Sequence, residues 1–489
     1  MRRDISFFRK ALPESEIYIA DTSSFLKISD SSLDGVYSIF NSTYCDVFID
    51  SRDVQKGHAF LALNGAKNNG HDFLKDVLEK GVDIIFIDES ERGCLLKINE
   101  NREHDFIAII VQDTYEALIS LAKTWRSYFN YPVIGITGSI GKTTTKEMLR
   151  SILKEANIPA CISYKNQNTI IGLSINMLRM RDEHKVAVFE LGVNEKGEMA
   201  QLSETLKPTM ALITFIAHSH TKGLGEIEEV AREKRMIFKN LKQDDIGFIC
   251  GDQQFMLDAC YNHPVVKFGQ RIKNHIQARK VQAAKDEDGL EVTSFILKMY
   301  GQRERVVLKT NHSGAVNNVL GACSLAYFLQ VPFKCIVNGV QKFNGFENRF
   351  EKRTLKRNKG ILISDCYNAS PESMRAALLS VHDMQVAGKK IAVLGDMLEL
   401  GEKETFWHRQ IGRLLGKIQS LDSVILVGER AQAIAKTAPI NMQLTCVKSW
   451  DEAEEQVSKI LFETQEHSLV LVKGSLAMQL DKMVTELVE

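Results

Sequence analysis

The chain has 489 residues, with 62 Lys and Arg against 62 Asp and Glu, and 44% of its residues are hydrophobic. This mix excludes a disordered or collagen-like chain, and the zero formal charge leaves no basic excess for coating nucleic acid, so no nucleic-acid partner is expected. At roughly 100–200 residues per domain the length predicts about three domains.

No apolar run reaches the roughly 18 residues that span a bilayer, and MRRDISFFRK has no apolar stretch behind its positive charge. Neither membrane insertion nor a secretory signal is therefore expected. The 9 Cys (45, 94, 161, 250, 260, 323, 335, 366 and 446) stand singly, with no CxxC. They read as free thiols in a reducing, cytoplasmic compartment, not as a disulfide framework or a zinc cage.

In chain order, residues 17–20 and 37–40 read as short strands. From residue 46 the pattern sharpens: an apolar run at 47–49, a turn at 55–57, a strand at 59–63, a helix at 71–80, and β-rich runs at 84–87 and 106–111. These make a small α/β domain over residues 1–115. Apolar residues at 117, 118, 121, 122 and 125 have helical periodicity, so a helix is expected over 114–129. A strand at 133–137, a glycine-rich loop and a helix at 143–154 follow, then strands at 186–190, 210–215 and 246–250. Strands alternating with helices predict a mostly parallel sheet. Residues 276–310 alternate instead like antiparallel strands. A helix at 316–329 closes a central domain over 116–345, with a hinge at 344–345. Residues 346–489 resume the α/β rhythm, with strands at 360–365, 390–394, 423–427 and 469–472, as in a doubly wound, Rossmann-like sheet. No GxGxxG follows its first strand, so a dinucleotide fingerprint is absent. The fold class expected is α/β in three domains.

The segment VIGITGSIGKTTT (133–145) is the most informative. A glycine-rich turn between a strand and a helix lets backbone N–H groups wrap a triphosphate at the positive end of the helix. Gly138, Ser139, Gly141, Lys142, Thr143 and Thr144 are the candidates to hold it. Lys142 would reach the β- and γ-phosphates and Thr143 would hold Mg2+. The general loop has Gly five residues before Gly141, where this chain has Ile136; its glycine is Gly135. Glu190 ends a β-run, a position suited to Mg2+, although a solvated strand-end carboxylate would read the same way. His218 and His220 form an HxH that is ambiguous between a metal pair and packing. Taken alone, Lys234 is a solvated helix lysine, Arg349 a surface arginine, and Asn166 and Asn168 part of a polar turn.

GITGSIGKTTTKE resembles the ATP loop of the Mur ligases, the ATP-dependent amide-bond enzymes of peptidoglycan synthesis, and the resemblance runs from about residue 50 to the C-terminus. It implies a UDP-substrate domain, a central phosphate-loop ATPase domain and a C-terminal Rossmann-like domain. It also implies two Mg2+ ions held by Thr143, Glu190, His220 and Lys234, with Lys234 converted by CO2 into a carbamate. Lys142, Lys234, His220 and Glu190 would serve the chemistry. Asn318 in SGAVNNVLGA would lie near adenine, although Gly314 and Ala315 replace the usual His-Asn. Arg349 in FENRFE would approach the phosphates. Asp365, Tyr367 and Asn368 in ILISDCYNASPESM would complete the nucleotide site, with Ser364 and Ser370 replacing Asp and Asn. Ser51, Arg52, Asn166, Asn168, Lys473 and Ser475 would contact substrate; Leu476 stands where Arg is usual after KGS, and His218 where a small residue is usual. LGDMLELG with His408 matches a further segment of the same branch.

Within the family, YNASPESM and LGDMLELG point to the branch that adds D-alanyl-D-alanine to UDP-N-acetylmuramoyl-tripeptide through an acyl phosphate. A cytoplasmic monomer is expected. Another ligase of the superfamily, such as a folylpolyglutamate synthase, a switch-type NTPase, and a non-catalytic relative remain the alternatives.

Overall fold

The computed structural model describes residues 5–20, 25–28, 46–65, 68–95, 105–219, 221–285, 291–310, 312, 314–345 and 348–488. The expected strand at 37–40 and His220 lie outside the described residues. The structure is α/β with three sheet regions, the fold class expected. It divides into two compact units. The first is Met1–Val133 with Pro159–Glu190 and Glu204–Lys207; the second is Ile134–Ile158, Leu191–Ser203 and Pro208–Glu489.

In the first unit a six-stranded sheet runs in the order Phe25–Lys27, Glu16–Ala20, Phe106–Val111, Ile84–Asp88, Ala59–Leu61, Val47–Phe48. The last four strands are parallel and the first two antiparallel. Every residue of Phe106–Val111 is buried, which explains its unbroken apolar run: a strand covered on both faces has no polar alternation to show. Helix Thr114–Arg126 starts at Asp113, whose carboxylate accepts from Tyr115 and Glu116 N–H. Its buried Trp125 donates to Met180 O at 3.1 Å, and Arg126 donates to Leu206, Phe129 and Lys207 carbonyls. Helix Ile5–Ala11 leaves no sign in the sequence. Its seven residues are too few to display periodicity, yet Phe7 packs edge-on against Trp125 and Phe8 against Phe86.

The helix expected at 71–80 is instead a 3-10 turn, Gly70–Phe73, followed by helix Leu74–Glu79. The cause is His71. Its backbone N–H and Nδ1 both meet Asn69 Oδ1, and its Nε2 accepts from Asp88 N–H, so the first turn is tightened around a buried side chain.

Seven strands of another sheet are counted with the second unit, in the order Gln302–Leu308, Glu291–Met299, Ile276–Lys285, Val265–Gly269, Ile246–Cys250, Met210–Ile213, Val133–Thr137. It is parallel from Val133–Thr137 through Ile276–Lys285, and Ile276–Lys285, Glu291–Met299 and Gln302–Leu308 form the expected antiparallel meander. Helix Ala315–Phe328 is buried along one side of this sheet. A second sheet follows in the order Glu351–Thr354, Gly360–Asp365, Ser468–Lys473, Lys390–Gly395, Ser423–Val427, Gln443–Val447, parallel except for its first strand. Apolar cores cover both its faces. That is the doubly wound arrangement expected, and it brings the C-terminal ends of its strands, where ligands bind in such folds, to one edge. Among the described residues no helix is long and apolar enough to cross a membrane.

Candidate active site

The loop 138–141 is shaped by two glycines with positive φ and close neighbours. Gly138 has φ +149°, and a Cβ there would lie 1.9 Å from Thr214 Oγ1. Gly141 has φ +88°, and a Cβ would lie 2.0 Å from Asn318 Oδ1. Thr214 braces the loop from beneath by donating to Ile140 O at 2.6 Å, and Ser139 N–H donates to Phe215 O at 2.7 Å. Ser139 Oγ donates to Ala217 O. Helix Lys142–Glu155 starts immediately after Gly141, with Thr144 half-buried in its first turn, so its N-terminal N–H groups open on the loop. Lys142 curls back over the loop and donates to Gly138 O at 2.8 Å.

Thr143 is buried, and its hydroxyl accepts from Arg349 Nη2 at 2.9 Å. The Arg349 guanidinium also lies over the Tyr367 ring, 4.0 Å from its centre. Arg349 is therefore not the surface arginine that its sequence alone suggests. Two cations and a helix N-terminus converge on one glycine-rich turn, which is an anion site by its chemistry.

Lys234 is fully buried, and its Nζ has no hydrogen-bond partner among the described residues. This overturns its bare reading as a solvated helix lysine. Burial pushes its pKa well below the ordinary lysine value, and the charge of Lys142 adds to this against the opposing pull of Glu233 and Glu198. Burial therefore favours the neutral amine over the ammonium.

In the first unit, Glu190 is buried at the end of strand Val186–Glu190 and accepts from Asn168 Nδ2 at 3.1 Å. It is not a solvated strand end. Asn166 is exposed, and Thr169, the departure in that turn, caps helix Ile170–Met177 through Gly172 N–H. Arg52 is exposed and clamps Asp50 through Nε and Nη2, which holds the Asp50 carboxyl down to about 2. Ser51 O accepts from Lys80 Nζ at 2.6 Å.

At the C-terminal edge of the second sheet, Asp365 accepts from Phe350 N–H and from Lys473 Nζ. Asn368 is exposed, its Oδ1 accepting from Ala369 N–H. Ser475 Oγ accepts from Leu398 N–H, fixing the loop that follows strand Lys390–Gly395. His408 is buried there with its pKa lowered by burial; the neutral ring donates through Nδ1 to Glu404 O and accepts at Nε2 from Met397 N–H. The two serine departures have structural roles. Ser370 caps helix Pro371–Asp383, and Ser364 donates to Asn348 Oδ1 at 2.7 Å. Leu476 is exposed.

Sequence reasoning misses Thr214, Asn348 and Glu372. Thr214 and Asn348 act through the loops they brace and carry no motif. Glu372 reads as an ordinary first-turn helix carboxylate, and its partner is His218, a residue to which the resemblance gives no role.

Comparison with known proteins agrees with this geometry. The chain matches the Mur ligase family, catalytic domain, over residues 44–126, the Mur ligase middle domain over 136–326, and the Mur ligase, glutamate ligase domain, over 348–476. It is 30% identical over 444 residues to the UDP-N-acetylmuramoyl-tripeptide--D-alanyl-D-alanine ligase of Bacillus subtilis, covering 91% of this chain and 93% of that one. The ligase of the same name from Escherichia coli is 28% identical over 449 residues, with coverage of 91% and 93%. The crystal structure of MurF from Acinetobacter baumannii matches with a TM-score of 0.82 at 26% identity, covering 98% of this chain and 97% of that one. With the three domain matches spanning most of its length and its glycine loop, Thr143 and Arg349 in one arrangement, the chain belongs to the Mur ligase family.

Proposed function

We propose that this chain is an ATP-dependent, ADP-forming ligase that joins D-alanyl-D-alanine to UDP-N-acetylmuramoyl-tripeptide, making the UDP-linked pentapeptide for peptidoglycan. The observation that carries the reading is the meeting of Lys142, Thr143 and Arg349 on one glycine-rich loop, in a chain similar along nine-tenths of its length to ligases named for this reaction.

The chemistry is carboxylate activation. A carboxylate oxygen of the tripeptide attacks the γ-phosphorus, the bridging P–O bond breaks, and ADP leaves with the electron pair. The amine of D-alanyl-D-alanine then attacks the acyl carbon, phosphate departs and the nitrogen loses a proton. Backbone N–H groups of 138–144 and the amine of Lys142 hold the β- and γ-oxygens; Arg349 meets the charge on the transferring phosphoryl group. Asn318, Asp365, Tyr367 and Asn368 complete the nucleotide side, and Ser51, Arg52, Asn166, Asn168 and Ser475 the substrate side, as the resemblance implies. Water would hydrolyse the acyl phosphate, so excluding it is part of the function.

Mg2+, two ions by the resemblance, would neutralise charge on the phosphoryl group when bound. Thr143, Glu190, His220 and Lys234 are the residues assigned to it. The buried amine of Lys234, without a hydrogen-bond partner among the described residues, supports its conversion: the neutral nitrogen bonds the carbon of CO2, a proton leaves, and a carbamate anion results. The domains are taken as UDP-substrate binding over 1–115, ATP binding over 116–345 and Rossmann-like over 346–489. The enzyme would act as a cytoplasmic monomer.

The test is phosphate release by the purified protein with ATP and Mg2+, the UDP-tripeptide and D-alanyl-D-alanine being added singly and together. Release that needs both is expected. Equal release with neither would leave a switch-type NTPase.

A further inference from the structure

Arg349 is presented by a strained loop. Its neighbours Asn348 and Phe350 have φ +54° and +55°, the left-handed region, and neither is glycine. Such residues persist only where surrounding contacts over-determine them. Here the contacts are on the page: Phe350 N–H donates to Asp365 Oδ1 at 3.2 Å, Tyr367 N–H to Asn348 O at 3.3 Å, and Ser364 Oγ to Asn348 Oδ1 at 2.7 Å.

Asp365 is held in turn. Strands Gly360–Asp365 and Ser468–Lys473 are parallel neighbours, and Asp365 and Lys473 are register partners at their ends. Lys473 is buried, and its ammonium donates to Asp365 Oδ2 at 2.7 Å, Asp365 O at 3.3 Å and Asn368 O at 3.0 Å. Three donors meet three acceptors, so none remains for a ligand. The carboxylate between them faces both ways: one oxygen fixes the Arg349 loop, the other is locked by the lysine.

We propose that Asp365 and Lys473 are positioning residues for Arg349, a buried ion pair that aims the guanidinium at the phosphate loop, and that Lys473 does not touch substrate. The inference rests on the reading of that loop as the ATP site. Without Lys473 the Asp365 carboxylate is left half-buried and unpaired; it turns toward water, releases Phe350 N–H, and the left-handed loop relaxes with Arg349 on it.

The experiment is a double-mutant cycle on phosphate release. Arg349→Ala is expected to lower kcat a hundredfold or more. Lys473→Met is expected to lower kcat at least tenfold with KM for the dipeptide and the UDP-tripeptide within twofold, and to add less than twofold to the loss in Arg349→Ala. Should Lys473→Met not fold, Asp365→Asn serves the cycle: it keeps an acceptor for Phe350 N–H and removes the ion pair, and the same non-additivity is expected. Full multiplicative losses, a wild-type kcat, or a loss confined to the KM of the dipeptide would each overturn the proposal. These outcomes are read against an active wild type; a wild type with no substrate-dependent phosphate release overturns the ATP-site reading and the inference with it.

Discussion

Glu372 accepts two hydrogen bonds from one residue, His218: the backbone N–H at 3.1 Å and ring Nδ1 at 2.5 Å. The His218 ring lies 4.3 Å from that of Trp407, centre to centre. Around this pair, Lys222 N–H donates to Glu399 O and Lys403 pairs with Glu226, so His218, Lys222 and Glu226 are each held by the part of the chain beyond residue 370. Burial alone would raise the Glu372 pKa, but the bonds from His218 outweigh it and hold the carboxyl below its ordinary value. A depressed carboxylate contributes stability above its unfolded pKa and loses it as pH falls through the folded value. Glu372→Ala should therefore destabilise the protein by about 1–3 kcal/mol near neutral pH. In thermal melts across pH, the gap from wild type should close as the solution is acidified below the ordinary carboxylate pKa. A gap independent of pH would contradict this.

Gly141→Ala should impair nucleotide binding beyond the cost of its backbone. Left-handed φ costs an alanine about 1–2 kcal/mol, and the new methyl, only 2.0 Å from Asn318 Oδ1, would also displace that side chain. Gly197 separates the two effects, since it has φ +96° and nothing within 4 Å of the place a methyl would take. By titration calorimetry, Gly197→Ala should keep ATP affinity and Gly141→Ala should lose at least tenfold; equal affinities would place the loop elsewhere in function.

Lys142→Ala should abolish acyl-phosphate formation, by about 100-fold or more, as loss of one phosphate-clamping group commonly does. Binding of the UDP-substrate should change little. Single-turnover phosphate transfer with bound-substrate controls checks this, and wild-type turnover would remove the phosphate-loop assignment.

Lys234 should carry a carbamate in the active enzyme. Intact-protein 13C NMR with labelled bicarbonate should show one carbamate signal that Lys234→Ala removes, and that variant should be nearly inactive until a short carboxylate is supplied in solution. An unmodified lysine in fully active enzyme would count against the idea.

Much of the fold was legible because buried strands such as Phe106–Val111 and Val133–Thr137 carry unbroken apolar runs. The phosphate loop was legible because glycine, lysine and threonine at fixed spacing have few other uses. The burial of Lys234 and the inward position of Arg349 were not legible from the residues alone, since a charged residue on a short helix or loop gives no sign of its burial. The His218–Glu372 contact and the Asp365–Lys473 pair were not legible as contacts. They join residues more than 100 positions apart, and the strands and loops that bring them together leave no periodic mark.

The central claim is that the acceptor is a dipeptide, and initial rates with competing acceptors test it most directly. A dipeptide places its carboxylate several ångströms further from its amine than an amino acid does. A pocket built for that distance would leave its carboxylate partner unpaired when a single amino acid binds, at about 1–3 kcal/mol, or more than tenfold in rate. D-alanyl-D-alanine, D-alanine, L-lysine and meso-diaminopimelate are each offered with ATP and the UDP-linked dipeptide or tripeptide, and products are weighed by mass spectrometry. The account predicts fastest ligation of D-alanyl-D-alanine onto the tripeptide. Faster ligation of any free amino acid would contradict it and move the chain to another branch of the family.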